Sequence, residues 1–139
     1  METGGYMPAG FRAASGPKPH YAAMYGVSCT ESDDYVPRTR LNVQLSDATV
    51  RFAWHWDSPG EKTTLQAIRT AKKPHLDVSI TKMEDGSTHV FPSPRALREW
   101  LGAHRVKTLN VAGNSSPWIE PIVEAYLIAA LESPVNSTV

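Results

Sequence analysis

The segment 106–117 constrains the fold more than any other part of the chain. It reads Val-Lys-Thr-Leu-Asn-Val-Ala-Gly-Asn-Ser-Ser-Pro, an apolar strand pattern that runs into a small polar turn just before an amphipathic helix. Short residues let the backbone come close to a bound group, and the amides at the start of a helix favour an anion. The pattern therefore predicts a ligand-binding loop formed by Gly113, Asn114 and Ser115.

A second strand-to-helix junction lies upstream at residues 57–64, which read Asp-Ser-Pro-Gly-Glu-Lys-Thr-Thr. Its candidate ligand-binding residues are Gly60, Lys62, Thr63 and Thr64. Lys62 could pair with a phosphate as a point charge, although an exposed lysine in a first helical turn is usually only solvated. The same segment also fits a helix capping box with Ser58 as the N-cap residue. Two junctions of this kind favour a binding cleft, and the capping interpretation stands beside it.

Composition and charge limit the class of protein. A chain of 139 residues with 41% hydrophobic and 20% charged residues is typical of one soluble globular domain, expected here over 1–139. Lys+Arg and Asp+Glu each number 14, so no net field attracts the chain to nucleic acid or to an anionic membrane. Cys29 stands alone, and the sequence contains no signal-peptide or membrane-span pattern, which indicates the cytoplasm. An anion site would have to be local.

Periodicity predicts helices and strands in alternation after a loop-rich start. Residues 1–40 hold four of the eleven prolines and five of the nine glycines, so we expect mostly turns there, with a short strand at 25–28. The patterns beyond them predict helices at 38–46, 62–72, 94–104 and 119–130, strands at 47–54, 75–81 and 106–112, and a hairpin partner near 88–91. This alternation predicts a parallel sheet covered on both faces, with ligands bound beyond the carboxyl ends of the strands.

The segment 38–43 supplies three further ligand-binding candidates, Arg38, Thr39 and Asn42. The guanidinium of Arg38 could hold a phosphate through two parallel hydrogen bonds, or it could form a surface ion pair with Asp33 or Asp34. Asn42 could read the edge of a heterocycle, or it could satisfy a backbone group in a turn.

Residues that would indicate chemistry are scarce. The five histidines show no spacing with Cys29 or with carboxylates that is typical of a metal site. Glu61 is the carboxylate beside Gly60 that could act as acid or base, and its capping role competes. Trp56 could stack on a flat heterocycle or close the core. No catalytic residue is predicted.

An ordered set of segments runs through nearly the whole chain. The set comprises Gly-Gly-Tyr-Met-Pro at 4–8, Asp-Tyr-Val-Pro-Arg-Thr-Arg-Leu-Asn-Val at 34–43, Ser-Asp-Ala-Thr at 46–49, Ser-Pro-Gly-Glu-Lys-Thr-Thr-Leu at 58–65, Lys-Pro at 73–74 and Leu-Asn-Val-Ala-Gly-Asn at 109–114. It resembles the molybdenum-carrier family, a circularly permuted branch of the lysine-decarboxylase-like Rossmannoid superfamily. The resemblance implies an α/β fold, a Rossmann-like three-layer sandwich with a mostly parallel sheet.

The resemblance also implies a function. It predicts a binding or carrier protein for a phosphorylated pterin (molybdenum cofactor) or a nucleotide-like ligand. The alternatives are a nucleotide-processing enzyme of the same superfamily and a ligand-free interaction module. The expected partner is a small phosphorylated ligand, with no nucleic acid and no membrane.

The resemblance departs from the family pattern at the beginning of the chain. Family members usually have a strand, a glycine-rich turn and a helix before the segment equivalent to 4–6, and Met1 stands almost at that point. We therefore expect the first strand, loop and helix to be missing. The uncovered sheet edge and face would then favour a homo-oligomer.

Overall fold

The computed structural model describes residues 5–7, 12–13, 16–17, 27–29, 35–113 and 116–132. Within these ranges the elements in chain order are β1 (Gly5–Met7), β2 (Arg12–Ala13), β3 (Gly16–Pro17), β4 (Val27–Cys29), α1 (Tyr35–Gln44), β5 (Ala48–Ala53), α2 (Pro59–Ala71), β6 (His75–Lys82), β7 (Thr88–Phe91), α3 (Pro94–Ala103), β8 (Leu109–Gly113) and α4 (Glu120–Leu131). Every element predicted from residue 38 onward is present, and the differences lie in the boundaries.

Side-chain hydrogen bonds explain two of these differences. Helix α2 begins at Pro59 and not at residue 62, because the Ser58 hydroxyl accepts a hydrogen bond from the Glu61 amide at 3.2 Å and caps the helix there. Strand β8 begins at Leu109 and not at residue 106. The Asp47 carboxylate accepts the amides of Lys107 and Thr108 at 2.8 and 2.9 Å, so that stretch is bonded to a side chain before the strand begins.

Four strands form the main sheet, in the order β7-β6-β5-β8. Strand β5 is parallel to both β6 and β8, and β6 and β7 form an antiparallel hairpin. All six residues of β5 are buried, as expected for the central strand of a covered parallel sheet. Two smaller pairs are also described, β1 with β4 in parallel and β2 with β3 in antiparallel.

The apolar core lies on the face of the sheet covered by α3 and α4. Phe52 of β5 meets Tyr126 of α4 edge to face, with ring centroids 5.2 Å apart. The Tyr126 hydroxyl donates to the carbonyls of Pro92 and Ser93, and burial raises the pKa of this phenol to about 12. The fully or nearly buried residues of this cluster are Val50, Phe52, Val78, Ile80, Leu97, Ile119, Tyr126 and Ala130.

The opposite face is covered by α1 and α2. These helices pack on each other through Val43, Ala67 and Ile68. Side chains alternate along a strand, so Arg51 points away from the Phe52 side, and one of its terminal nitrogens donates to the Glu61 carbonyl of α2. Helices therefore cover both faces, and the predicted Rossmann-like α/β sandwich with a mostly parallel sheet is confirmed.

Helices α1 and α2 begin at the same edge of the sheet. Helix α1 ends just before β5 begins, and α2 starts after β5 ends and returns to the start of β6. The Lys73 ammonium, between α2 and β6, donates to the carbonyls of Gln44 and Ser46. It thereby holds the C-terminal ends of α1 and α2 close together. Both helix N-termini therefore lie near the carboxyl end of β5.

Candidate functional site

The carboxyl ends of β5 and β8 lie side by side. Phe52 of β5 is the register partner of Gly113 of β8, so the two predicted junctions leave the sheet at one edge. One junction leads directly into the N-terminus of α2, and the N-terminus of α1 lies at the same edge. The structure thus brings together the two glycine-containing segments that the sequence marks as ligand loops.

Gly113 is required by its backbone geometry. Its φ is 152°, and a Cβ at this position would lie 1.9 Å from the Phe52 carbonyl oxygen. A side chain here would force the two strand ends apart. The neighbouring candidates Asn114 and Ser115 lie outside the described residues.

The first turn of α2 divides its residues between capping and exposure. The predicted capping role of Ser58 is confirmed. Gly60 and Lys62 are exposed, and a Cβ on Gly60 would meet nothing within 4 Å. Thr63 is half-buried, whereas Thr64 is buried and donates its hydroxyl to the Gly60 carbonyl at 3.0 Å. Gly60, Lys62 and Thr63 are therefore the residues of this turn best placed to meet a ligand.

Helix α1 carries the other three predicted residues. Arg38, Thr39 and Asn42 are all half-buried. Arg38 lies close to the N-terminus of α1, at the edge where β5 and β8 end, and Asn42 follows one helical turn later on the same face. The alternative ion-pair partners of Arg38, Asp33 and Asp34, lie outside the described residues.

A groove of about 660 Å³ runs between α1 and α2. It is lined by Arg40, Gln44, Lys62, Thr63, Gln66, Ala67 and Thr70. Two of the predicted residues, Lys62 and Thr63, therefore face this groove, and the arginine that lines it is Arg40 and not Arg38. The lining combines two cations with amides and hydroxyls, which suits a polar anionic group.

A buried charged network lies beneath α2, and it was not predicted from the sequence. The Arg51 side chain is 5% exposed, and its Nε and one terminal nitrogen donate to the Asp77 carboxylate at 2.7 and 2.6 Å. Its other terminal nitrogen donates to the Glu61 carbonyl at 3.3 Å. Arg51 therefore fastens the first turn of α2 to both β5 and β6.

A signal for this network was present in the sequence. Arg51 stands between Val50 and Phe52 in a strand predicted to be covered on both faces, and an arginine is almost never fully buried without a partner. Asp77 lies on the next strand and is the register partner of Arg51. Pairing the two predicted strands would have suggested the ion pair.

The Glu61 side chain is also buried, with 3% of the residue exposed. Burial raises the pKa of its carboxyl, and the nearby positive charges of Arg51 and His55 offset part of that effect. A carboxyl that keeps its proton to higher pH than usual thus lies in the first turn of α2, next to the candidate ligand residues.

Trp56 contacts the charged network through Arg51. Its half-buried ring lies against the Arg51 guanidinium, and the distance from the Arg51 Cζ to the ring centroid is 4.7 Å. Cation–π contacts of this kind stabilise an arginine that has lost much of its hydration. Stacking of Trp56 on a ligand would compete with this contact.

Among the residues that the structure describes, no group of three or more His, Cys, Asp or Glu side chains could hold a metal ion. Nor does any helix in those ranges combine the length and the apolar character needed to cross a membrane.

Comparison with known proteins agrees with the sequence resemblance. The model of the circularly permutated YpsA SLOG family matches residues 1–131. A crystal structure named "putative molybdenum carrier protein", from Syntrophus aciditrophicus SB, is similar with a TM-score of 0.68 and 26% sequence identity over 93% of this chain and 76% of that chain. No curated protein matches the sequence. The chain therefore belongs to the circularly permutated YpsA SLOG family.

Proposed function

We propose that this protein binds a small phosphorylated ligand at the edge where β5 and β8 end, as a binding or carrier protein. The observation that carries the proposal is the register pairing of Phe52 with Gly113, which sets both loops beside the N-termini of α1 and α2. In parallel α/β sheets, ligands bind beyond the carboxyl ends of the strands.

The chemistry of this edge favours phosphate. Helix N-termini present unpaired amides and the positive end of the helix dipole. Lys62 adds a flexible ammonium in the first turn of α2, and Arg38 adds a guanidinium near the start of α1. Gly60 and Gly113 lack side chains that would keep a ligand away from the backbone. Because the formal net charge is zero, this local arrangement is what would attract an anion.

Two ligand classes fit these groups, a phosphorylated pterin such as the molybdenum cofactor and a nucleotide. The similar structure from Syntrophus aciditrophicus SB is named a putative molybdenum carrier protein, which supports the pterin. In both classes the phosphate would meet the amides and cations of this edge. The ring would lie farther along the loops.

Calorimetry with guanosine monophosphate and with a phosphorylated pterin tests the proposal. A charge-assisted hydrogen bond contributes about 1.5–3 kcal/mol, so Arg38→Ala should weaken binding by roughly ten- to a hundredfold. Lys62→Ala should weaken it less, because an exposed ammonium is well hydrated. Arg95→Ala is the matched control, since Arg95 pairs with Glu99 on the exposed surface of α3. Unchanged affinity in both the Arg38 and Lys62 variants would remove the proposed site.

The second candidate function is a nucleotide-processing enzyme. The buried Glu61 carboxyl favours it, because a carboxyl with a raised pKa, close to a ligand site, is suited to general acid catalysis. Incubation with nucleoside monophosphates, followed by chromatography, tests this candidate. Nucleotide cleavage that is abolished in Glu61→Gln would establish enzymatic activity. Nucleotides that stay intact would favour the binding or carrier function.

Self-association stays a prediction. It is supported by Val111 of β8, a residue that is 44% exposed although β8 belongs to the main sheet. An exposed apolar residue on an outer strand favours contact with another chain. The same exposed residue would suit a ligand-free interaction module. A measurement of ligand binding distinguishes such a module from an oligomeric binding protein.

A further inference from the structure

The two loops at the ligand edge each contribute a tryptophan to one surface patch. Trp54 directly follows β5, and Trp118 lies between β8 and α4. Their ring centroids are 6.1 Å apart with an angle of 57° between the planes. Residues far apart in the sequence are thus brought together by the same strand pairing that unites the two ligand loops.

A cation belongs to the same patch. Lys82 is the last residue of β6, which is parallel to β5 and so ends at the same edge. Its ammonium lies 5.8 Å from the centroid of the Trp118 ring. The imidazole of His55 lies at a steep angle to Trp54, with centroids 4.2 Å apart. The patch therefore combines two indole rings with a positive charge.

The exposure of these rings is unusual for residues of their size. Trp54 is 49% exposed although it follows a fully buried strand, and Trp118 is half-buried. An exposed aromatic surface beside the ends of parallel strands suits ligand binding, since planar rings stack on the flat heterocycles of ligands.

We infer that Trp54 and Trp118 form the stacking site for the planar heterocycle of the phosphorylated ligand, a purine or a pterin. The inference rests on the proposed function and assigns the ring end of the same ligand. Lys82 would lie near the polar edge of that ring or near a negative group on it.

The placement of the patch suits a ligand with two different ends. Trp54 contacts Trp118 at the start of α4, on the sheet face that holds the Phe52 core. Helix α2, with Lys62, begins five residues further along the same loop but covers the opposite face. A ligand that reaches both would cross the strand ends above Gly113, which itself carries no side chain.

Binding measurements with three matched probes test the inference: guanosine monophosphate, guanosine and ribose 5-phosphate. Trp54→Leu and Trp118→Leu remove an aromatic ring and keep an apolar side chain. Loss of one stacking partner should weaken guanosine monophosphate binding by about five- to a hundredfold. Ribose 5-phosphate, which lacks the heterocycle, should bind within about twofold of the wild-type affinity.

Two controls separate stacking from structural damage. Trp54→Phe and Trp118→Phe keep an aromatic face and should retain most of the affinity for guanosine monophosphate. Trp100→Phe removes a tryptophan of α3 that packs on His104 away from the two loops, and it should leave all three affinities unchanged. Thermal melts establish that each variant is folded.

The possible outcomes distinguish the two proposals. Equal losses for guanosine monophosphate and ribose 5-phosphate, or no loss for either, would overturn the stacking site and leave phosphate binding in place. Guanosine binding that depends on the two tryptophans, without any binding of ribose 5-phosphate, would support the stacking site and overturn the phosphate site. A wild-type chain that binds none of the probes would overturn both.

Discussion

Replacement of Gly113 by alanine should lower the free energy of unfolding by about 2–6 kcal/mol. The new Cβ would lie 1.9 Å from the Phe52 carbonyl oxygen and 2.8 Å from its carbonyl carbon. The strands would have to separate by about 1.5 Å to restore an ordinary contact. Strand β5 cannot retreat easily, because it is buried and is paired on both sides.

Two separate costs make up this magnitude. The φ of 152° suits glycine alone and costs about 1–3 kcal/mol for another residue. Crowding of a well-packed region adds about 1–3 kcal/mol. The total is a large share of the roughly 5–15 kcal/mol that stabilises a typical domain.

Gly60→Ala is the matched control. Gly60 lies in the first turn of α2, its φ is not positive, and a Cβ there meets nothing within 4 Å. The same chemical change should therefore raise stability by up to about 1 kcal/mol, because alanine loses less backbone entropy in a helix.

Urea denaturation followed by circular dichroism measures both variants. With a slope of about 2 kcal/mol per molar, Gly113→Ala should move the midpoint down by about 2 M, and Gly60→Ala should move it slightly up. A Gly113→Ala variant that unfolds at the wild-type midpoint would refute the close contact between the ends of β5 and β8.

Two further predictions concern the charged network beneath α2. Asp77→Ala leaves the buried Arg51 guanidinium without its carboxylate; because the Asp77 side chain is 37% exposed, we expect a loss of about 2 kcal/mol, below the 3–5 kcal/mol of a fully buried pair. In urea denaturation, the double variant Arg51→Met/Asp77→Leu should recover most of that loss. A loss below about 0.5 kcal/mol in Asp77→Ala would show that the ion pair does not stabilise the fold. Burial raises the pKa of Glu61, so its contribution to stability is complete below the ordinary pKa of 4.5 and is lost as the pH rises through the raised value. Glu61→Gln should therefore be more stable than the wild type at neutral pH, and its stability should depend less on pH above 4.5. Thermal melts across this pH range measure both effects. A variant that is less stable than the wild type at neutral pH would contradict the prediction.

The sequence by itself determined the local structure. Runs of β-branched and aromatic residues and helical periodicity placed every described element from residue 38 onward, because each strand or helix has to bury its own apolar side chains. The Ser58 cap was also predictable, since a cap depends only on residues next to one another. The meeting of the two candidate ligand loops followed from a general property of parallel sheets, whose strands end at one edge.

The tertiary structure decided which side chains share a place. Trp54 and Trp56 are two residues apart, yet one lies beside Trp118 and the other over Arg51, because the loop after β5 passes from one face of the sheet to the other. From the sequence, stacking on a ligand or closing the core stayed open for Trp56, because local pattern alone carries no information on this crossing.

The burial of Arg51 and Glu61 also depends on contacts across the sequence. The Arg51 ion pair joins residues 26 positions apart, and it forms only when β6 has taken its place beside β5. A strand pattern states that a residue points to one face, but the charge and the packing on that face come from other elements. For that reason the candidate phosphate residues could be predicted from the chain, whereas the network that supports them required the assembled fold.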